Sequence, residues 1–266
     1  MSNRIPLRLL PFAAVAAFLA LSPALVSAQD TDSRWLPWTG CWQADDSGLL
    51  CIELADGGVE FLSVGDEGVV SDETIVADGV ARAIDDETCS GATSAQFSPD
   101  GERVYLREEV TCGTQSQSVN GVIAMLSPSE WIDIRGSDDG RGVYSRTFKR
   151  VSDQFATANG FPDANNDDDL TARMRRWAVS EPSDLDDLLE VLDRTGEGVT
   201  SAWIVEQIDP LPVDAEFLIA MDEMGIPHEV IDVVVARAFP QEFWVADAGS
   251  QRRPSGQMAP QGGAAF

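Results

Sequence analysis

The chain reads as an α+β protein: a disulfide-stapled antiparallel β-meander, barrel-like or sandwich, followed by a small α-helical bundle. Three observations predict this. Short alternating apolar segments recur at spacings near ten residues from Trp38 to Val151, separated by Asp/Gly turns. Four cysteines all precede residue 113. Beyond residue 167 the apolar period changes to that of helices.

The first segment is a leader. Met1 to Ala28 has a basic start at Arg4 and Arg8, an apolar stretch from Leu9 to Leu21, and small residues at Val26-Ser27-Ala28. This is the pattern of a secretory signal peptide cut before Gln29, with an apolar stretch short for a membrane span. The expected location is a bacterial periplasm or the medium. The formal charge of -27 becomes -29 when Arg4 and Arg8 leave with the leader. A surface this acidic repels nucleic acid phosphates and anionic headgroups, so neither is an expected partner. With 44% hydrophobic residues the chain still has enough apolar surface for real cores, and its length suits two modest domains.

The β-domain is expected over 34–151, with strands at 38–44, 48–54, 58–64, 68–76, 79–85, 92–97, 102–111, 119–126, 130–136 and 142–150. Asp56-Gly57-Gly58, Asp66-Glu67-Gly68, Asp78-Gly79, Ser98-Pro99-Asp100-Gly101 and Ser137-Asp138-Asp139-Gly140 punctuate them. Along 102–111, Val104, Leu106 and Val110 share one face, and Arg103, Tyr105, Arg107 and Glu109 the other. Such a meander closes into a barrel or a two-layer sandwich, which removes aggregation-prone edges. Cys41 and Cys51 flank a turn at Asp45-Asp46-Ser47-Gly48, and Cys89 and Cys112 flank Ser98-Pro99-Asp100-Gly101. Turn geometry favours pairing 41–51 and 89–112 among three arrangements, and an exported chain is where such bonds persist. The chain has no Cys-x-x-Cys knuckle for zinc.

Gly40-Cys41-Trp42 resembles the Gly-x-Trp signature that opens lipocalin-type barrels. The resemblance implies a tryptophan plugging one barrel end, with Arg146 or Arg150 stacked on it by a cation–π contact. Phe97 to Tyr105 is similar to the strand-turn-strand signature of a β-propeller blade, but the domain is too short for four blades. Tyr144, Arg146 and Phe148 alternate onto one face of the last strand. A Tyr-x-Arg pair facing inward resembles the carboxylate grip of fatty-acid-binding barrels, with a two-pronged donor beside a hydroxyl. The competing role for Arg146 is an exposed cross-strand ion pair. The candidate ligand site is thus Trp42, Tyr144, Arg146 and Phe148, with an apolar or amphiphilic small molecule as ligand.

Residues 152–166 read as a linker. Asp163 to Asp169 has alternating oxygen ligands like a calcium loop, but Asp168 and Met174 stand where the EF-hand pattern needs Gly and Glu. Asn166 or Asp167 capping the next helix accounts for the same residues. The helical domain is expected over 167–245, with helices at 168–179, 184–194, 199–208, 214–224 and 228–238. Ser183 is expected to cap the second, which carries a Leu185, Leu188, Leu189 and Leu192 stripe. Met224 to Asp232 resembles a short helical motif of uncharacterised exported bacterial proteins, and its Met-Gly-Ile turn is similar to that of ubiquitin-associated domains. The tail, 246–266, is rich in Gly, Pro, Gln and Ala and is expected to be disordered.

For catalysis the sequence offers no nucleophile elbow, Walker loop, dinucleotide fingerprint or zinc-protease motif. The single histidine, His228, sits at a helix start, where capping or packing is the expected role. No enzyme activity, cofactor or metal is therefore expected. The function read from sequence is a non-enzymatic exported binding protein. The alternative is an envelope interaction module, contacting a protein partner through its helices and carrying no small ligand.

Overall fold

The computed structural model describes residues 32–45, 48–65, 68–85, 88–137, 142–162, 167–179 and 183–243. The leader, the tail, Asp163 to Asn166 of the calcium-like run, and the side chains of Asp167, Asp168 and Asp169 lie outside the described residues.

Ten strands form one antiparallel sheet: β1 (Gly40–Ala44), β2 (Leu49–Ala55), β3 (Gly58–Gly65), β4 (Gly68–Ile75), β5 (Arg82–Asp85), β6 (Cys89–Phe97), β7 (Arg103–Cys112), β8 (Gln115–Ser127), β9 (Glu130–Ser137) and β10 (Val143–Arg150). The order across the sheet is β4-β3-β2-β1-β10-β9-β8-β7-β6-β5, so β10 returns to pair with β1. The meander therefore rolls into a barrel whose two free edges, β4 and β5, meet at a seam. Among the described residues no ladder joins those edges. Residues 76–81 cross the seam at one end, where Asp78 bridges to Gln96 and Gly79 N–H donates to the Ala95 carbonyl. Arg82 pins that crossing through an ion pair with Asp78 and a bond to the Val80 carbonyl.

Turn chemistry sets the register. Gly101 takes φ +75°, which closes the Ser98-Pro99-Asp100-Gly101 reversal and brings Cys89 opposite Cys112. Cys41 likewise faces Cys51, and both pairs are bonded as the turns predicted. The Cys41–Cys51 bond is buried under Ala156 of a short helix, α1 (Asp153–Ala158), while Cys112 is exposed. Dithiothreitol in native buffer is expected to reduce 89–112 first and leave 41–51 until the chain unfolds; alkylation followed by mass spectrometry reads this directly. Replacing Cys89 and Cys112 by serine should cost about 3 kcal/mol by the loop-closure estimate for its span.

Two sequence expectations change here. Trp38 ends a 3-10 helix, Ser33–Trp38, rather than starting the first strand, because Asp32 caps the helix and Pro37 suits a non-strand backbone. The stretch read as linker contains α1, capped by the Ser152 side chain accepting from Phe155 N–H.

The remaining helices are α2 (Asp167–Val179), α3 (Leu185–Thr195), α4 (Glu197–Glu206), α5 (Ala215–Glu223) and α6 (His228–Ala238). Asp184, not Ser183, caps α3: its carboxylate accepts from Asp186 and Asp187 N–H in a capping box, while the Ser183 hydroxyl donates to Gln207. His228 neither caps nor packs, and lies exposed 3.7 Å from Asp222. Helices α3, α4 and α6 bury Leu188, Val191, Val199, Trp203, Val230 and Val234 in one cluster with Tyr105, Val122, Ile132 and Ile134. These are outward-facing strand residues, so the helices cover the outer wall of β7–β9. Arg103 fastens the contact. It is almost fully buried, donates to the Tyr105 hydroxyl, and pairs with Asp100, Asp187 and Glu190.

Candidate functional site in the barrel interior

Direct cross-strand partners share a face, which makes the inner lining traceable around the barrel. Trp42 faces Arg150 and Leu50; Phe148 faces Trp131 and Ala44; Arg146 faces Asp133; Tyr144 faces Arg135. The row continues from Arg135 to Gly121 and Leu106, and from Val119 to Glu108, Thr93 and Arg82. On the other side of the seam, Glu73 faces Phe61 and Ile75 faces Val59.

This lining has two unlike halves. One is packed with rings. Trp131 stacks on Phe148 with centroids 3.9 Å apart and meets Trp38, Trp42 and Phe61 edge-on. Trp35 packs on Phe97, and the Ser33–Trp38 helix thereby stoppers this end. Trp42 is fully buried and its indole N–H donates to the Trp38 carbonyl at 2.8 Å. Arg150 lies 5.6 Å from the Trp42 ring centroid and Arg173 of α2 lies 5.9 Å from it; both donate to the Thr39 carbonyl. Of the two arginines expected on this tryptophan, it is Arg150 that reaches it. Arg146 lies instead 5.9 Å from the Phe148 ring.

The other half is charged. A cleft of about 460 Å³, counting the solvent at its mouth, opens beside the seam. Glu73, Arg82, Glu108 and Arg135 line it together with Ile75, Ala95, Leu106 and Val119. Arg135 is buried and its Nε donates to Asp133 at 2.7 Å. Burial opposes its charge, but Asp133, Tyr144 and Glu73 hold it protonated. Gly121 is what lets this side chain lie against β8: a Cβ there would sit 2.8 Å from Arg135 Cδ and from the Ile134 carbonyl. Glu108 is 7% exposed, and its Oε2 is buried without a hydrogen-bond partner among the described residues. Burial pushes its pKa up, against the pull of Arg135. Glu73 is raised from 4.5 to about 7, first by burial and then by the fields of Asp133 and Glu108, with Arg135 opposing.

Of the residues singled out from sequence, Trp42 and Phe148 sit in the ring-packed half. Tyr144 and Arg146 share a face with Arg135 and Asp133 toward the charged half. Glu73, Glu108, Asp133 and Arg135 were missed, although the alternation carried the signal. Glu108 falls in phase with Val104, Leu106 and Val110, a charged residue on an apolar strand face.

The raised Glu73 pKa has a measurable consequence. Between pH 4.5 and about 7 the folded protein keeps a proton that the unfolded chain releases. Stability therefore falls as pH rises through that window and stays lower above it. Glu73→Gln should remove this slope, on the order of 2 kcal/mol after allowance for partial solvent contact, as read by urea midpoints at successive pH values.

No family model matches the chain, and no curated protein matches its sequence. Two solved structures show a slight likeness. One is a secretary abundant heat soluble (SAHS) protein from Ramazzottius varieornatus, at 10% identity over 43% of this chain and 96% of that one, with a TM-score of 0.31. The other is a redesigned β-barrel, mFAP1, bound to DFHBI, at 16% identity over 44% of this chain and 98% of that one, with a TM-score of 0.23. At these scores neither likeness carries an argument for this chain, and its chemistry rests on its own geometry.

Proposed function

We propose that the chain is a non-enzymatic binding protein of an oxidising, extracytoplasmic compartment that holds a small polar-headed molecule in the charged half of its barrel. The observation that carries this reading is the division of the interior. Charged side chains border a cleft at an open seam, while the opposite half is filled by rings. Buried charge is costly unless it is paired, and perturbed carboxylates in a cleft mark a candidate binding site. The seam between β4 and β5 is the entrance. Tyr144 and Arg146 share the inner face with Arg135 and Asp133, and Trp42 and Phe148 belong to the packed layer. That layer leaves no room for a long apolar tail, so the ligand is compact rather than a fatty chain. Two disulfides suit export, and among the described residues no helix is long and apolar enough to cross a membrane.

A second reading has its own observation. Leu170, Met174 and Trp177 lie exposed on one face of α2, the kind of stripe a partner protein covers. Native mass spectrometry of the mature chain, purified from its export compartment without detergent, separates the two. A small organic mass lost on denaturation supports the barrel reading. A bare chain that gains a protein partner through α2 supports the second.

A further inference from the structure

Resting on the reading of the cleft as a ligand site, we infer that its ligand is a small organic cation, an ammonium or guanidinium group on a short apolar stem, held between the Glu73 and Glu108 carboxylates.

The first support is Glu108. A buried carboxylate oxygen with no donor is costly, and Glu108 Oε2 is in that state on the wall of the cleft. A ligand N–H would supply the missing donor, and a charged one would supply it best. The second is Glu73, which lines the same cleft from β4, across the seam from Arg82 on β5. Each carboxylate raises the energy of a second negative charge there: the field of Glu108 is among the causes that keep Glu73 partly protonated. A cation between them relieves both.

The nearby positive groups are already engaged. Arg135 pairs with Asp133, Arg82 with Asp78, and Arg107, exposed at the rim of the cleft, with Glu109. An anion would have to compete with those carboxylates. A divalent metal ion fits less well, since among the described residues no three acidic, histidine or cysteine groups converge on one point. Ile75, Ala95, Leu106 and Val119 give the stem an apolar wall. The net charge of -27 over the whole chain concentrates cations and repels anions.

Binding is then linked to protons. The charged groups lining the cleft are Glu73 on β4, Arg82 on β5, Arg107 and Glu108 on β7 and Arg135 on β9, while Asp133 on β9 and Tyr144 and Arg146 on β10 share the inner face beside Arg135. Strands β6 and β8 contribute no titratable group to the cleft, only Thr93, Ser94, Ala95 and Val119. Glu73, and with it Glu108, must be ionised to hold the cation, so acidification releases it.

Isothermal calorimetry of the mature protein with n-butylammonium chloride and with sodium butyrate tests this. The two probes match in size and differ in the sign of the head. The ammonium should bind with a dissociation constant on the order of 1 mM and weaken about tenfold or more from about pH 8 to about pH 5.5. Glu108→Gln should abolish that binding while raising the urea midpoint of the empty protein, because it removes a buried charge that only a ligand satisfies. A purely structural Glu108 would instead lose stability on substitution, and that result overturns the inference. Butyrate binding in place of the ammonium also overturns it, yet leaves the cleft a ligand site. Binding of neither probe up to about 20 mM overturns both readings.

Discussion

Trp131→Ala is expected to cost about 3–5 kcal/mol, the range for removing a fully buried large aromatic side chain, and so to bring the protein close to its unfolding limit. Trp131 is the hub of the packed half: Phe148 stacks on it, and Trp38, Trp42 and Phe61 meet it edge-on. Its removal would leave a void that four rings from β1, β3, β10 and the Ser33–Trp38 helix cannot jointly collapse to fill. Trp131→Phe should cost much less. The Trp131 indole N–H has no hydrogen-bond partner among the described residues, so only volume is lost. Trp42→Phe differs, because it also removes the bond to the Trp38 carbonyl. Urea unfolding followed by near-ultraviolet circular dichroism orders the three variants. An alanine cost under about 1.5 kcal/mol would mean that the rings are not packed as described.

Arg135→Met is the second large effect, and its signature is a dependence on pH. Removing one partner of a buried ion pair leaves the other unpaired, at a cost of about 3–5 kcal/mol. Here Asp133 loses its 2.7 Å contact, and Glu73 and Glu108 lose the positive charge that opposes their burial. Without it the folded-state pKa of Glu73 climbs beyond about 7 while the unfolded value stays at 4.5. The destabilisation should therefore grow as pH rises through and past that interval, and be smallest near pH 5, where folded Glu73 carries its proton. Midpoints at about pH 5 and pH 8 decide the matter. A deficit that is the same at both would show that Arg135 acts by packing alone.

Much of this fold was legible in the sequence, for identifiable reasons. Gly at the left-handed turn positions and strict alternation placed all ten strands, and the same turns put Cys41 opposite Cys51 and Cys89 opposite Cys112. Helices α2 to α6 followed from their apolar stripes and breakers. Local signals failed where long-range contacts decide. Ser33–Trp38 is rich in aromatics, and its last residue was read as the start of the first strand, but it is a helix that stoppers the barrel, a role set by Phe97 and Trp131 far along the chain. Arg103 and Tyr105 were placed on the face opposite Val104 and Leu106, but nothing near them announces that α3 and α4 will cover it. Closure through β1 and β10 and opening between β4 and β5 is a property of the whole meander.

The site divides the same way. The shared face of Tyr144 and Arg146 was read from alternation within β10. Glu73, Glu108 and Asp133 were hidden among 45 acidic residues, and with Arg135 they come together only because β4, β7 and β9 bring them to one level. Glu108 alone was readable, as a charge in phase with Val104 and Leu106.

The most direct test of a desolvated acidic cleft is a carboxyl carbon-13 NMR titration of the ligand-free protein, with Glu73 and Glu108 assigned by Glu→Gln variants. The account predicts that Glu73 titrates near 7 and that Glu108 lies above the usual glutamate range. Both glutamates titrating at the ordinary value near 4.5 would place them in bulk water and contradict it.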